Sequence, residues 1–150
     1  NLASPGDVLV IQGVANVSNM GGISAQTGKR QGEIGAIVQG GVRDVAHSRA
    51  LDYPVWASDI TPVTGKWRIE AAEINGTVQI GAVKVACGDM VVADDSGVLH
   101  YRELTDDGPK LCRTEHFVPF HDELRALRIA RRGVDRQDLY IYLQDHRSSD

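Results

Sequence analysis

The sequence is poor in aromatic residues and cysteines, and it has no excess of basic charge. Aromatic residues make up 5% of the 150 residues. The chain therefore has few side chains on which the bases of a single-stranded nucleic acid could stack. The formal net charge is −4, from 16 basic and 20 acidic side chains, and there is no basic block. We therefore expect neither nucleic acid nor an anionic membrane as the main partner. No apolar run approaches the roughly 20 residues that span a bilayer.

Two cysteines, Cys87 and Cys112, are too few for a disulfide framework and lack the spacing of a zinc site. Each is predicted to be a small buried hydrophobe, which favours a reducing, cytoplasmic compartment. Hydrophobic residues make up 42% and charged residues 24% of the chain, as is typical of a globular protein. No signal peptide or lipidation motif is visible in these residues. The chain begins with Asn1 rather than Met, as a fragment or a trimmed sequence would.

The front of the chain alternates short apolar runs with helical segments. Continuous apolar runs are typical of strands that are buried on both faces, and a strand–helix–strand order favours parallel pairing. Gly32 is predicted to cap the C-terminal end of the first helix. The predicted strands are residues 8–11, 34–39 and 54–57, and the predicted helices are residues 23–31 and 42–51, with a loop over 13–22.

After Pro62 the chain is predicted to form mainly short strands, followed by helices in the C-terminal tail. Turn signals separate short strands, and the tail carries two segments with helical caps and apolar faces. We therefore predict an α/β domain over residues 1–112 and a helical C-terminal extension over 113–150, packed on the domain or on a neighbouring subunit. The strands are predicted at 67–71, 78–80, 83–85, 90–93 and 98–101, a turn at 106–109, and the tail helices at 122–132 and 135–146.

The stretch Gly40-Gly41-Val42-Arg43-Asp44 follows a predicted strand at the edge where parallel sheets bind ligands. Arg43 can hold a carboxylate through two parallel hydrogen bonds, and Asp44 can ligate a hard divalent cation. His47 lies one helical turn beyond Asp44. An ordinary surface ion pair, a helix N-cap and an exposed histidine are the alternatives for these three residues.

Glycines at the start of the first helix expose backbone N–H groups. The helix dipole favours an anion there, so Gly21, Gly22, Ile23 and Ser24 are predicted to bind a phosphate or a substrate carboxylate. A tight turn without a ligand is the alternative. The residue after Ser24 is Ala25, so this stretch lacks the histidine that carries phosphate in the phosphohistidine domains with a similar glycine start.

Several segments in order resemble one family. They are Pro5–Val10, Gly35–Val38 with Gly41–Asp44, Pro54–Ala57, Thr61-Pro62 and Gly88–Val98. The series resembles the family that holds the 4-hydroxy-4-methyl-2-oxoglutarate (4-carboxy-4-hydroxy-2-oxoadipate) aldolases and the ribonuclease-activity regulator RraA. The resemblance covers about residues 5–101.

The resemblance implies a swivelling β/β/α fold that assembles as a trimer or hexamer. It also implies that Gly21 to Ser24 bind the pyruvoyl end of a small 2-oxo acid, that Arg43 contacts the substrate, and that Asp44 helps to hold Mg²⁺ or Mn²⁺. The metal would stabilise a pyruvate enolate as the carbon–carbon bond breaks. In the aldolases a neighbouring subunit adds a glutamate, for which Glu115 and Glu123 are the candidates.

Two positions depart from the family pattern. Gly22 stands where the aldolases carry an acid, and His47 stands at a position that is often acidic. Two functions therefore remain open: a metal-dependent lyase that cleaves or decarboxylates a 2-oxo acid, and a non-catalytic regulator that binds a protein such as a ribonuclease. Gly22 favours the regulator, and the intact Arg43-Asp44 pair favours the lyase.

Overall fold

The computed structural model describes residues 3–94, 97–105, 108–115, 118–119 and 140–145, with side chains for 3–94 and 97–98. The helices in these residues are α1 (Gly22–Gln31) and α2 (Val45–Ala50). The strands are β1 (Val8–Gln12), β2 (Ser18–Met20), β3 (Gly35–Val42), β4 (Val55–Ile60), β5 (Ile69–Ile74), β6 (Val78–Ile80), β7 (Val83–Val85), β8 (Met90–Asp94), β9 (Gly97–Thr105), β10 (Gly108–Glu115), β11 (Val118–Pro119) and β12 (Tyr140–Asp145). Over the described ranges, no helix is both long and apolar enough to cross a membrane.

A mixed sheet in the order β11-β4-β3-β1-β12-β5 organises the chain. The inner strands β4, β3, β1 and β12 are parallel to one another, and β11 and β5 are antiparallel to their neighbours. The short β2 pairs with the end of β3. The predicted parallel pairing of the first two apolar runs is confirmed, and so is the α/β class.

The two faces of this sheet bury two separate apolar clusters. On one face, Leu9 and Ile11 of β1 pack with Ala25 of α1. On the other face, Val10 packs with the residues of β6 and β7, and with Val91 of β8. Successive residues of a strand point to opposite faces, so β1 contributes to both clusters. The result is three layers: helices, the central sheet and a second layer of strands.

Helix α1 ends where the sequence predicts. Gly32 adopts a left-handed conformation with φ 86°, and its N–H reaches the carbonyl oxygens of Gly28 and Lys29. The basic residues Lys29 and Arg30 occupy the last turn, where they complement the helix dipole.

The predicted start of the second helix is wrong. Residues 40–42 belong to β3, and α2 begins at Val45. Strand β3 continues because Val42 pairs with Met20 on one side and with Ile60 on the other. The loop predicted over 13–22 likewise contains β2, which forms only because the edge of β3 is available for pairing.

The antiparallel strands of the second half lie close to their predicted positions. The pairs β6–β7, β8–β9 and β9–β10 are all antiparallel. The strand predicted from residue 67 begins later, at Ile69, because Trp67 has φ 63° and lies in a turn. Strand β10 runs across residue 112, where the domain boundary was placed, and the division of the chain there stays a prediction.

The tail helix predicted over 135–146 is wrong at residues 140–145. These residues form β12, which lies between β1 and β5. The run Tyr-Ile-Tyr-Leu is rich in the aromatic and β-branched residues that favour strands, and the free edge of β1 decides its conformation. The helix predicted at 122–132 lies outside the described residues.

A buried polar pair joins the end of α1 to the core. Tyr53 is fully buried, and its hydroxyl donates to Glu33 Oε2 at 2.6 Å. Burial and then the Glu33 carboxylate raise the pKa of the Tyr53 phenol well above its usual range, so the hydroxyl stays protonated and remains a donor. Gly28 of α1 lies directly against this pair. A Cβ at this position would overlap Glu33 Oε2 and lie 2.8 Å from the Tyr53 hydroxyl oxygen.

Replacing Gly28 with Ala is therefore expected to destabilise the protein by about 1–3 kcal/mol through overpacking. In an exposed helix the same change stabilises by up to about 1 kcal/mol. Urea unfolding of Gly28→Ala and of the matched Thr27→Ala checks this, because Thr27 is the exposed preceding residue of the same helix. Thr27→Ala should stay within about 0.5 kcal/mol of the wild type. A Gly28→Ala variant more stable than the wild type would contradict the packing described.

Candidate functional site

The candidate site lies where β3 ends and the chain turns into α2. Asp44, the residue before α2, has φ 57° and ψ 36°, the left-handed conformation that Asp and Asn tolerate better than most residues. Its carboxylate does not cap its own helix. Asp44 Oδ2 instead accepts a hydrogen bond of 2.9 Å from the backbone N–H of Gly22, the first residue of α1. Asp44 therefore occupies the N-cap position of α2, but its side chain does not cap that helix and instead accepts from the first amide of α1.

Arg43 is held in place beside this carboxylate. Its Nε lies 3.5 Å from Asp44 Oδ2, and the two side chains are 38% and 50% exposed. A terminal guanidinium nitrogen donates to Ser18 Oγ at 3.1 Å, and the Ser18 hydroxyl is in turn bonded to the carbonyl of Met20. The contacts with Asp44 and Ser18 therefore orient the guanidinium, which remains partly exposed to solvent.

Sequence reasoning missed Ser18. It is buried and belongs to β2, whereas the sequence placed it in a glycine-rich loop. No local pattern marks a serine that orients an arginine 25 positions later.

The first turn of α1 supplies backbone donors at the same place. The first N–H groups of a helix have no intrahelical partner, and the N–H of Gly22 is used by Asp44. The amides of Ile23 and Ser24 follow in the same turn, where Ile23 is 81% exposed. The Gly22 amide and the Arg43 guanidinium thus both approach Asp44 Oδ2, and the next two amides of the helix are candidates for binding a ligand carboxylate.

His47 stands over Gly22. A Cβ at position 22 would lie 2.9 Å from Cδ2 of the His47 ring and 3.2 Å from Cβ of Asp44. The structure thus brings together five of the predicted residues, Gly21, Gly22, Arg43, Asp44 and His47, with Ile23 and Ser24 on the same turn of α1.

A shallow pocket beside Arg43 encloses only about 10 Å³, about the space that one water molecule needs. Its walls include Met20, Val42 and Val55, and the buried Tyr53 also lines it.

The carboxylate of Asp44 is a suitable ligand for a hydrated divalent cation. Within the ranges that the structure describes, no three His, Cys, Asp or Glu side chains are grouped to enclose a metal ion. Asp44 keeps Oδ1 free of hydrogen bonds to the described residues, and Mg²⁺ commonly binds through one or two carboxylates and several waters. These residues therefore suit Mg²⁺ or Mn²⁺ held through Asp44, and they do not form a closed zinc site.

The predicted acid from a neighbouring subunit is not located. Glu115 ends β10, where its backbone pairs with Val98, and Glu123 lies outside the described residues. Their role stays a prediction. Cys87 packs against the second apolar cluster but is only half-buried, not buried as predicted. The side chain of Cys112 is outside the described part.

Comparisons with known proteins point to one family. A family model described as "RraA-like: Aldolase/RraA" matches residues 1–100. A protein of Halalkalibacterium halodurans named "Putative 4-hydroxy-4-methyl-2-oxoglutarate aldolase" is 33% identical over 98 residues, covering 64% of this chain and 46% of that protein. A protein of the same name from Halorhodospira halophila is 34% identical over 109 residues, covering 69% of this chain and 66% of that protein.

A solved structure matches as well. The S-adenosylmethionine: 2-dimethylmenaquinone methyltransferase from Geobacillus kaustophilus superposes with a TM-score of 0.59 and 30% identity, over 67% of this chain and 63% of that chain. The chain therefore spans between about half and two thirds of the lengths of these three proteins. Because the family model covers the strands and helices that build the candidate site, the chain belongs to the RraA-like family.

Proposed function

We propose that this chain is a divalent-metal-dependent lyase that cleaves a small 2-oxo acid to pyruvate, by aldol cleavage or by decarboxylation of oxaloacetate. The observation that carries the proposal is the convergence of three groups at one point: the Arg43 guanidinium, the Asp44 carboxylate and the amides of the first α1 turn. Relatives named as aldolases support the reaction class. The swivelling β/β/α description fits the three observed layers.

Each group has a distinct task in this proposal. The amides of Ile23 and Ser24 bind the carboxylate at the pyruvoyl end, which fixes the substrate along the N-terminal end of α1. Arg43, oriented by Ser18, binds the 2-oxo acid from the side and neutralises the negative charge that develops when the carbon–carbon bond breaks. Asp44 holds the helix in place through Gly22, and its carboxylate would hold the metal.

A bound Mg²⁺ or Mn²⁺ would supply Lewis acidity toward the 2-oxo group. Asp44 is the residue that would hold it.

A second candidate is a non-catalytic regulator that binds a protein partner such as a ribonuclease. The observation that favours it is Gly22: the site has a single carboxylate among the described residues, so it is less acidic than a metal-dependent lyase of this type would be expected to be. The family description names both aldolase and RraA. Whether the protein turns over a 2-oxo acid decides between the lyase and the non-catalytic regulator.

We also propose that the protein assembles as a homo-oligomer, most simply a trimer, in the cytoplasm. Supporting this, Ile60, Val63 and Trp67 are exposed at or soon after the end of β4, and Trp67 is 86% exposed. Large apolar side chains that a fold leaves exposed are candidates for subunit contacts.

Sedimentation velocity at micromolar concentration is expected to show a species of about three chains. The variant Trp67→Ser should shift the distribution toward smaller species, whereas Trp56→Phe, at a half-buried tryptophan packed against the second apolar cluster, should not. A monomer at all concentrations would contradict the assembly.

A coupled assay of pyruvate release from oxaloacetate and from 4-hydroxy-4-methyl-2-oxoglutarate tests the lyase. We expect turnover with Mg²⁺ or Mn²⁺, loss of turnover in EDTA, and a decrease of about 100-fold or more in Arg43→Ala, because a charge-stabilising donor is removed. Arg43→Lys should recover only part of the activity, since lysine lacks the planar fork. Arg30→Ala, at the far end of α1, is the control. If the folded oligomer releases pyruvate no faster than the free metal ion does, the result would favour the regulator.

Asp44 has a structural and a chemical role, and two variants separate them. Asp44→Asn keeps an acceptor for the Gly22 amide and tolerates the left-handed backbone, so its free energy of unfolding should stay within about 1 kcal/mol of the wild type. Asp44→Ala loses both and should be destabilised by about 1–3 kcal/mol. Both variants should lose metal-dependent turnover, because neither supplies a carboxylate. Urea unfolding and the pyruvate assay measure the two effects, and an active Asp44→Asn would contradict the assignment.

A further inference from the structure

The side chain of Asn19 joins three segments of backbone at the base of the candidate site. Asn19 is the middle residue of β2, and its Oδ1 accepts from the Val14 N–H at 2.8 Å. Its Nδ2 donates to the carbonyl oxygens of Val14 at 2.9 Å, of Val17 at 3.0 Å and of Gly41 at 3.2 Å. A side-chain amide has two N–H hydrogens, and three carbonyl oxygens share them here. The donors of Asn19 are therefore committed to the backbone and are not free to bind a ligand.

Two glycines leave room for this side chain. A Cβ at Gly13 would lie 2.6 Å from Cγ of Asn19, and a Cβ at Gly40 would overlap Asn19 Nδ2. Gly40 also has φ 132°, a backbone conformation that glycine adopts far more readily than other residues. The motif that begins at Gly40 therefore has a structural reason, the packing of Asn19, besides its place before Arg43.

Asn19 is also the extra residue in the pairing of β2 with β3. Ser18 pairs with Gly41. Met20 pairs with Val42, so β2 advances two residues while β3 advances one. Irregular steps of this kind redirect side chains beside active sites. The hydrogen bond from Asn19 to the Gly41 carbonyl holds this step in place.

Both neighbours of Asn19 contact Arg43. Ser18 Oγ accepts from the guanidinium at 3.1 Å, and the Met20 carbonyl accepts from the Arg43 backbone N–H at 3.1 Å. The Ser18 hydroxyl donates to the same carbonyl at 2.7 Å. Because both contacts depend on how β2 is aligned with β3, the residue that fixes this alignment also fixes the guanidinium.

We propose that Asn19 is a positioning residue, which sets the orientation of the Arg43 guanidinium through Ser18 and Met20. Without the amide, the loop over residues 13–17 and strand β2 lose their attachment to Gly41, and the guanidinium samples more orientations. The inference rests on the proposed function in one respect, since Arg43 is the group assigned there to the substrate. The orientation of Arg43 itself is measurable without any substrate.

The nitrogen-15 NMR signal of the Arg43 Nε–H group tests the orientation directly. Arg43→Lys identifies this signal by removing it. Relaxation should report a restrained group in the wild type, and both Asn19→Ala and Ser18→Ala should make it mobile. Gln12→Ala is the matched control and should leave the signal unchanged. The Gln12 side chain also bonds a backbone amide, that of Gln79 at 2.6 Å, but it does so in the layer of the second apolar cluster. An Arg43 signal that stays restrained in folded Asn19→Ala would overturn the proposal.

Calorimetric binding of oxalate in the presence of Mg²⁺ separates positioning from a general loss of stability. Oxalate resembles the pyruvate enolate in shape and charge. Asn19→Ala should weaken its binding about tenfold, as expected when a hydrogen bond to a charged group is lost, and should lower the free energy of unfolding. In an Arg43→Ala background, the same substitution should leave oxalate binding unchanged while the loss of stability persists. Equal weakening in both backgrounds would contradict a role that acts through Arg43.

The remaining outcomes separate the two proposals. If Asn19→Ala does not fold, Asn19→Ser takes its place with the same expected results, because serine keeps a short side chain with one donor. If the wild type does not bind oxalate but the substitution at Asn19 mobilises Arg43, the proposed function is wrong and the positioning role stands. If the wild type binds oxalate and Arg43 stays restrained in the variant, the positioning role is wrong and the proposed function stands.

Discussion

The hydrogen bond between the Asp44 carboxylate and the Gly22 amide fixes the geometry on which the rest of the site depends. It joins the end of β3 to the start of α1, across 22 positions of sequence. A carboxylate at a helix N-terminus is stabilised by the exposed amides and by the helix dipole, and here the favourable interaction links two elements instead of capping one. The same carboxylate lies beside Arg43, so a single group positions the helix, the arginine and the remaining donors.

This arrangement depends on the layered fold beneath it. Strands β1 and β3 are covered on both faces, so they form a rigid base whose carboxyl ends lie together. The chain leaves β3 at Val42, and within two residues it presents Arg43 and Asp44 to the start of α1. Sites on parallel sheets are commonly found outside the carboxyl ends of the strands, because loops from neighbouring strands meet there. The left-handed backbone of Asp44 is the local conformation that directs both side chains to that edge.

The sequence predicts the parts of this structure that local chemistry decides. The runs of β1 and β3 are continuously apolar because both faces are buried, and α1 ends at Gly32 because a left-handed residue closes it. Strand β2 and strand β12 were not predicted, since Ser18–Met20 and Tyr140–Asp145 form strands only by pairing with β3 and β1. The candidate residues were recognised from motifs and from the family resemblance. The contacts between them, such as Asp44 with Gly22 or Arg43 with Ser18, join distant positions that no local pattern connects.

The contact between Gly22 and His47 also couples two positions that lie 25 residues apart in the sequence. A Cβ at position 22 would lie 2.9 Å from Cδ2 of the His47 ring, so a side chain there requires the imidazole to turn away, whereas loss of the exposed His47 side chain requires no rearrangement at Gly22. The effect of a substitution at position 22 on stability therefore depends on the residue at position 47.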